Sequence, residues 1–244
     1  IDMYRKRYPR TDVPHEPTEA YRQAIIRACL EMAGRETPAP DALVDCARRS
    51  LERVTDFVRQ KDLVTLPADP VEIIVMPEFQ RGVSLAYCDA PGPLDTGQKT
   101  FYAVSPIPAG WTPEQVQSHL REYNLRSLHD LSMHEGVPGH YLQLAAANRH
   151  PSRLRAILAS APFIEGWAVY GEALMIDQGF LDGDPLMRLV NRKWQLRSVA
   201  NALLDVGVHT EGLKQEAAMR LMMEETFQEE REAAAKWRRA QLML

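Results

Sequence analysis

The sequence predicts a mainly α protein carrying one small antiparallel β-sheet, an α+β class. Three observations carry this prediction. Stretches on both sides of the middle of the chain repeat apolar residues at three- and four-residue spacing, as helices with one buried face do. The segment from Leu66 to Pro108 instead concentrates Pro, Gly and β-branched or aromatic residues. The composition, 45% hydrophobic and 25% charged over 244 residues, is that of an ordinary globular chain. That length suits one large domain or two small ones.

Taken in order, residues from about Glu16 to Ala33 space Tyr21, Ile25, Ala28, Cys29 and Met32 as one helical face ending at Gly34. After "ETPAPD" a second helix is expected from about Asp41 to Gln60, with Leu43, Ala47, Leu51, Val54 and Val58 on one side. Together these read as a helical hairpin over residues 1–65. Residues 66–110 form a sheet insertion: "VEIIVM", "GVSLAYC" and "KTFYAVS" read as three short strands separated by turn residues. Residues 111–244 read as almost continuous helix. Thr112, Pro113 and Glu114 supply an N-cap, a proline at the first helical position and an acid behind it. That helix carries Val116, Leu120, Tyr123, Leu128 and Leu131 straight into His134. Further helices are expected at about 140–148, 151–158, 163–180, 185–209 and 213–240, all within one domain.

Bulk properties exclude several classes of partner. The net charge of −4 and the scatter of Lys and Arg among acids argue against nucleic acid. The longest apolar run, Ala156 to Ile164, is too short to span a bilayer. The three cysteines, Cys29, Cys46 and Cys88, form no metal motif and read as free thiols. The chain opens on "IDMYRKRYPR" and stops inside a helical pattern, so it reads as a C-terminal fragment of a longer protein. Its compartment, cytoplasmic or periplasmic and secreted, is therefore not legible.

The chemistry centres on "HEGVPGH", residues 134–140. In H-E-x-x-H the two histidines lie four residues apart and share a helical face. Here they lie six apart, a rotation of roughly 240° on a regular helix, so an unbroken helix could not bring them to one metal. Pro138 has no N–H to give the carbonyl of His134, and its ring clashes with that carbonyl. It also pushes Val137 out of the α region, and Gly139 is conformationally free. The helix must therefore break or bulge between the histidines. Two arrangements fit: the excursion swings His140 back beside His134, or Pro-Gly is a plain turn and His140 opens an unrelated helix.

The next helix, "APFIEGWAVYGEALM", bears on this choice. Glu165 lies 25 residues after His140 in an apolar run, and Glu172 follows seven residues later on the same face. The helix reads as buried nearly all round, and a buried carboxylate must be paired, protonated or metal-bound. Zinc takes two imidazoles and a carboxylate and keeps a fourth position open. His134, His140 and Glu165 would supply that set, leaving Glu135 adjacent as general base. Glu172 is a candidate to orient a ligand imidazole, or else a structural acid. Asp130, one turn before His134, is a weaker candidate for the same task and reads more simply as a solvated acid.

Farther on, "LRSVANALLDVGVHTEG" spaces Arg197, Asn201, Asp205 and His209 four residues apart, with Val199, Ala202, Leu203, Val206 and Val208 facing elsewhere. This stripe is either the wet face of a helix or the lining of a cleft. In a cleft, His209 would donate to an oxyanion, Arg197 would bind a substrate carboxylate or a neighbouring acid, and Asp205 would orient either. His15, His119, His129 and His150 lack a partner pattern and read as surface or structural.

With "HEGVPGH", "FIEGWAVYGE" and "LLDVGVHT" in place, the chain resembles the DUF885 family of predicted zinc metallopeptidases. Its pattern is H-E-x-x-P-G-H, then E-G-W-A-x-Y-x-E, then a D-x-x-x-H helix. The resemblance covers about residues 70–244. It implies a gluzincin-like helical metallopeptidase fold with one zinc, His134, His140 and Glu165 as ligands, and a catalytic Glu135. Two features depart from the pattern. Asn201 stands where many members carry Arg, and members are longer, with a Tyr-containing segment beyond this chain's end. In zinc peptidases that the family resembles, an edge strand holds extended substrate, so "GVSLAYC" or "KTFYAVS", with Tyr87 or Tyr102, are candidates for that task.

The expected function is a zinc-dependent hydrolase, a metallopeptidase acting on peptides or small amides. Glu135 would serve as base, and His209, Arg197 or Tyr170 would stabilise the oxyanion. A zinc-dependent amidase or esterase on non-peptide substrates, or an inactive helical scaffold, are the alternatives. The expected partners are substrate and either a second copy or a companion chain supplying the missing terminal parts.

Overall fold

The computed structural model describes residues 18–82, 84–95, 97–152, 154–155 and 158–242. The chain is mostly helical with a three-stranded sheet, and it divides into two compact units. Each unit is assembled from segments distant in sequence. One, the sheet unit, comprises Pro38–Thr112 and Ser127–Gly183; the other, the helical unit, comprises Ile1–Thr37, Pro113–Arg126 and Asp184–Leu244. The expected hairpin of residues 1–65 is thereby corrected. Its two helices, α1 (Glu19–Gly34) and α2 (Leu43–Lys61), belong to different units. Each packs within its own unit: α1 on the helices Pro113–Glu122 and Pro185–Thr210, and α2 on the first strand.

In the sheet unit, Leu43, Ala47, Leu51, Val54 and Val58 of α2 are all buried, the face the spacing predicts. The strands are β1 (Glu72–Val75), β2 (Ala86–Asp89) and β3 (Phe101–Val104), in the order β1-β3-β2. β3 runs antiparallel to β2, with Ala86 opposite Val104, but parallel to β1, with Glu72 opposite Phe101. The sheet is mixed rather than antiparallel throughout. The stretch from Met76 to Thr100 is long enough for the crossover that a parallel pair requires. β3 is central, and Tyr102, Ala103 and Val104 are fully buried. Neither "KTFYAVS" nor Tyr102 therefore presents a free edge or faces a cleft, which leaves β2 as the candidate edge.

The helix expected to run unbroken from Thr112 to His134 is two helices, α3 (Pro113–Glu122) and α4 (Leu125–Glu135). Asn124 makes the break. Its side-chain amide donates to the carbonyl of Arg121 at 3.0 Å and its side-chain oxygen accepts the N–H of Arg126 at 3.1 Å. Asn competes for backbone groups in this way and so favours helix boundaries. The sheet unit also carries α5 (His140–Asn148) and α6 (Ala161–Asp177), packed on each other. The helix expected at 151–158 falls partly on residues outside the described set, as does His15.

The helical unit contains α1, α3, α7 (Pro185–Thr210), α8 (Gln215–Arg220) and α9 (Glu230–Leu242). The helix expected over 213–240 is interrupted by a π-helical turn at Leu221–Glu225 and by Phe227 at φ 58°. Leu204, Ala218, Met222, Ala233 and Trp237 form one core cluster, and Ile25, Cys29 and Leu186 another. The face of α7 that packs inward carries Val190, Arg197, Ala200, Leu204 and Gly207. Along the polar stripe Arg197 is buried and Asn201 half-buried while Asp205 is exposed, so it is not a uniformly wet face, and the apolar Leu196, Val199, Leu203 and Val206 stand 39–56% exposed.

Arg197 can be buried because its charge is matched. Its Nη1 lies 3.1 Å from Glu122 Oε1 and its Nη2 is 2.9 Å from Glu232 Oε1, while the guanidinium stacks 4.1 Å over the Trp194 ring. Glu122 also takes Lys193 Nζ at 2.7 Å and the N–H of Glu229 at 3.0 Å. Burial alone would raise the Glu122 carboxyl; Lys193 and Arg197 override it and hold its pKa at about 2.

Candidate metal centre

The site is built where α4 stops. Beyond Glu135 the N–H groups of Gly136 and Val137 both turn onto the carbonyl of Ser132, at 3.1 and 3.2 Å. Pro138, joined to Val137 through a cis peptide bond, continues the turn. Gly139 lies so close to α4 that a Cβ would run into the His134 carbonyl. The glycine is required for this close approach and not for a left-handed φ, since its φ is −78°. His140 then opens α5, and Gln143 closes that helix's first turn on the Gly139 carbonyl at 3.0 Å. The helix does end at the Pro-Gly pair, and His140 still returns to its partner. The imidazoles of His134 and His140 face each other with ring centroids 4.6 Å apart at 82°.

α6 supplies the carboxylates. Glu165 Oε2 lies 3.5 Å from His134 Nε2 and 3.7 Å from His140 Nε2. The three ligand atoms lie within 4.8 Å of one another, and among the described residues this is the one group of three His, Cys or acidic side chains so arranged. Tetrahedral zinc with bonds of about 2.0–2.1 Å holds its ligand atoms about 3.3 Å apart, so the carboxylate distances already approach that spacing. Seven residues on, Glu172 Oε1 accepts from His134 Nδ1 at 2.6 Å. The two carboxylates thus grip opposite nitrogens of one imidazole, which leaves Nε2 directed toward Glu165. His140 Nδ1 is buried and, among the described residues, has no hydrogen-bond partner.

Glu165 is not the buried carboxylate that the apolar run around it predicts. Its side chain is 66% exposed, and on the same helix Phe163 and Tyr170 are more than half exposed. Glu172, 5% exposed, is the buried carboxylate of α6 and is satisfied by His134. Asp130 is buried as well, not solvated.

Glu135 is steered by the sheet: the Cys88 N–H of β2 donates to its Oε2 at 2.9 Å. Burial pushes the Glu135 carboxyl up to about 7, against the opposing pull of His134 and the Cys88 amide. Burial disfavours a charged His134, but Glu165 and Glu172 outweigh it and hold that imidazole up at about 10. Burial and the neighbouring His134 push His140 down to about 4. Three carboxyl groups, those of Glu135, Glu165 and Glu172, thus stand around two imidazoles, of which His134 is the one whose positive charge they favour.

Of the remaining candidates, Tyr170 packs against Trp167, with ring centroids 5.8 Å apart, about 140° around α6 from Glu165. Arg197, Asn201, Asp205 and His209 belong to the helical unit. There Arg197 binds the neighbouring acids Glu122 and Glu232, Asn201 Oδ1 accepts from Lys236 Nζ at 2.9 Å, and His209 Nε2 lies 3.8 Å from Asp205 Oδ1. His129 Nδ1 meets Ser50 Oγ at 2.7 Å and His150 Nδ1 accepts the Ser152 N–H, both structural roles. Two contacts of the site are not legible in the sequence, although Trp167 itself lies in the "EGWA" motif. The Cys88 amide depends on long-range strand placement, and the Trp167 indole donates to the Pro138 carbonyl at 2.8 Å across 29 residues.

Fold and site together define an α+β protein in which an interrupted helix and a neighbouring helix converge two histidines and a glutamate. The chain belongs to the DUF885 family, "Bacterial protein of unknown function", whose model matches residues 15–244. A solved "putative lipoprotein of unknown function" from Shewanella oneidensis is 36% identical, with a TM-score of 0.79 over 99% of this chain and 42% of its own. A solved "putative lipoprotein" from Colwellia psychrerythraea, 18% identical, shares the fold at a TM-score of 0.64, covering 98% of this chain and 45% of its own. The chain therefore spans less than half the length of either. No curated protein matches it. No helix among the described residues is long and apolar enough to cross a membrane.

Proposed function

We propose that the sheet unit is the metal-binding part of a zinc-dependent hydrolase, a metallopeptidase acting on peptides or small amides. The convergence of His134 Nε2, His140 Nε2 and Glu165 Oε2 beside Glu135 carries this reading. The donor set suits zinc: two imidazoles, one carboxylate and room for a fourth ligand. Glu172 fixes the His134 ring through its other nitrogen, the usual support of a ligating imidazole. Glu165 is exposed, so the site opens toward solvent.

Bound there, zinc would supply Lewis acidity, polarising a carbonyl and acidifying a water. The chain's own residues do the rest. Glu135 is held on one oxygen by the Cys88 amide and stands beside the two histidines and Glu165, where a carboxylate could take a proton from water and return it to a leaving amine. The β2 strand that aims Glu135 is also a sheet edge, where an extended chain could lie beside the base. Arg197 is not assigned to oxyanion stabilisation, because its guanidinium is neutralised by Glu122 and Glu232.

The test is cleavage of a peptide mixture by the wild type and by Glu135→Gln, with zinc measured in both. The reading expects zinc in both proteins and cleavage by the wild type alone. Cleavage of small amides or esters but no peptides would place the chemistry on non-peptide substrates. Zinc without any turnover would make the protein a metal-binding scaffold.

A further inference from the structure

α6 contributes more to the site than two carboxylates. The turn that carries His140 back beside His134 is pressed from one side by α4, where Gly139 sits against the His134 carbonyl. From the other side it meets α6 at two points. The Trp167 indole N–H donates to the Pro138 carbonyl at 2.8 Å. One turn farther along, Gly171 lies under the Pro138 ring, where a Cβ would stand 3.1 Å from Pro138 Cγ. Trp167 and Gly171 lie between Glu165 and Glu172, so the helix segment that presents both carboxylates also clamps the turn.

The Pro138 carbonyl has reason to need a partner. It lies in a turn between two helices, and both neighbouring residues, Val137 and Gly139, are buried. A buried carbonyl left unmade costs more than an ordinary hydrogen bond gains. The indole supplies the bond at a fixed reach, because its ring is itself packed between Phe163 and Tyr170, with centroids 6.5 and 5.8 Å away.

We infer that Trp167 is a positioning residue for the metal centre: its indole N–H holds the Pro138 turn and so fixes His140 relative to His134 and Glu165. Gly171 is its steric counterpart, since a Cβ there would stand 3.1 Å from Pro138 Cγ and Pro138 would have to give by a few tenths of an ångström. This rests on the zinc reading given above and deepens it. The phase relation between the two carboxylates and the clamp is set by one helix, so α6 can deliver Glu165 only with the turn closed.

The experiment is zinc affinity, measured by competition with a chromophoric chelator, for the wild type, Trp167→Phe and Gly171→Ala. Each protein is also melted in the metal-free state by circular dichroism. Trp167→Phe keeps an aromatic ring and lacks the donor. Loss of a group that holds a ligand from outside the coordination sphere weakens metal binding by roughly 10- to 100-fold, and about 10-fold is expected for Trp167→Phe. Gly171→Ala, with the indole intact, should weaken zinc in the same direction. A purely structural role would lower the metal-free melting temperature and leave affinity in the folded protein untouched. Wild-type affinity in folded Trp167→Phe would overturn the inference while leaving the ligand assignment standing. Should Trp167→Phe not fold, unchanged affinity in Gly171→Ala would overturn it equally. A wild-type protein that takes up no zinc would remove both the inference and the reading beneath it.

Discussion

Replacing Glu122 by Gln should destabilise the helical unit by about 3 kcal/mol, near the low end of the cost of breaking a buried ion pair. Glu122 is 1% exposed and faces Lys193 Nζ at 2.7 Å and Arg197 Nη1 at 3.1 Å. At an effective dielectric of about 20 these two attractions amount to roughly 6 and 5 kcal/mol, most of it offset by the cost of drying three charges. Removing the acid leaves the desolvation cost of Lys193 and Arg197 in place without its main compensation. The amide retains an oxygen for the Glu229 N–H, and Arg197 retains Glu232 at 2.9 Å, which keeps the loss toward the smaller figure. The pH dependence has a definite sign. The folded carboxyl titrates at about 2 against an ordinary value of 4.5. Its contribution is therefore complete above pH 4.5 and is lost as pH falls toward 2. Urea unfolding at pH 7 and pH 3, followed by circular dichroism, should show a gap between wild type and variant that narrows at the lower pH. Equal stabilities at pH 7, or a gap that does not narrow, would refute the assignment of Glu122 as the hub of this cluster.

Two further outcomes follow from the site. Gly139→Ala places a methyl against the His134 carbonyl, so the turn must open. Zinc binding should fall below detection while the far-ultraviolet circular dichroism stays helical, and retained binding would show that the close approach is dispensable. Glu172→Leu removes the acceptor on His134 Nδ1 and should weaken zinc binding by roughly 10- to 100-fold, measured by chelator competition; an unchanged value would mean that the His134 ring is oriented by packing alone.

Much of the site is legible in the sequence because it rests on local covalent facts. Pro138 has no N–H, which forces the interruption between His134 and His140, and Gly139 has no Cβ, which permits the close approach of the turn. The seven-residue step from Glu165 to Glu172 likewise places both acids on one helical face, and the structure puts both on the His134 ring. Burial was not legible. The apolar run around Glu165 suggests a helix covered on all sides, yet hydrophobic composition does not say which flanks are covered, and Phe163, Glu165 and Tyr170 are exposed. The polar line on α7 misleads for the converse reason: Arg197 is buried because partners 75 residues earlier and 35 later in the chain neutralise it. The strands fall where turn residues predict them, but insertion of β3 between β1 and β2 is a long-range pairing with no local signal. The same holds for the division into two units, which separates α1 from α2 although a short loop joins them.

The central claim is that His134, His140 and Glu165 form a zinc site. Its most direct test is metal content of purified wild-type protein by inductively coupled plasma mass spectrometry, beside His140→Ala and Glu165→Ala. One zinc per chain is expected in the wild type, with loss in His140→Ala and a marked reduction in Glu165→Ala, all three proteins being folded. A metal-free wild type would contradict the claim outright, and undiminished zinc in Glu165→Ala would remove the glutamate from the ligand set.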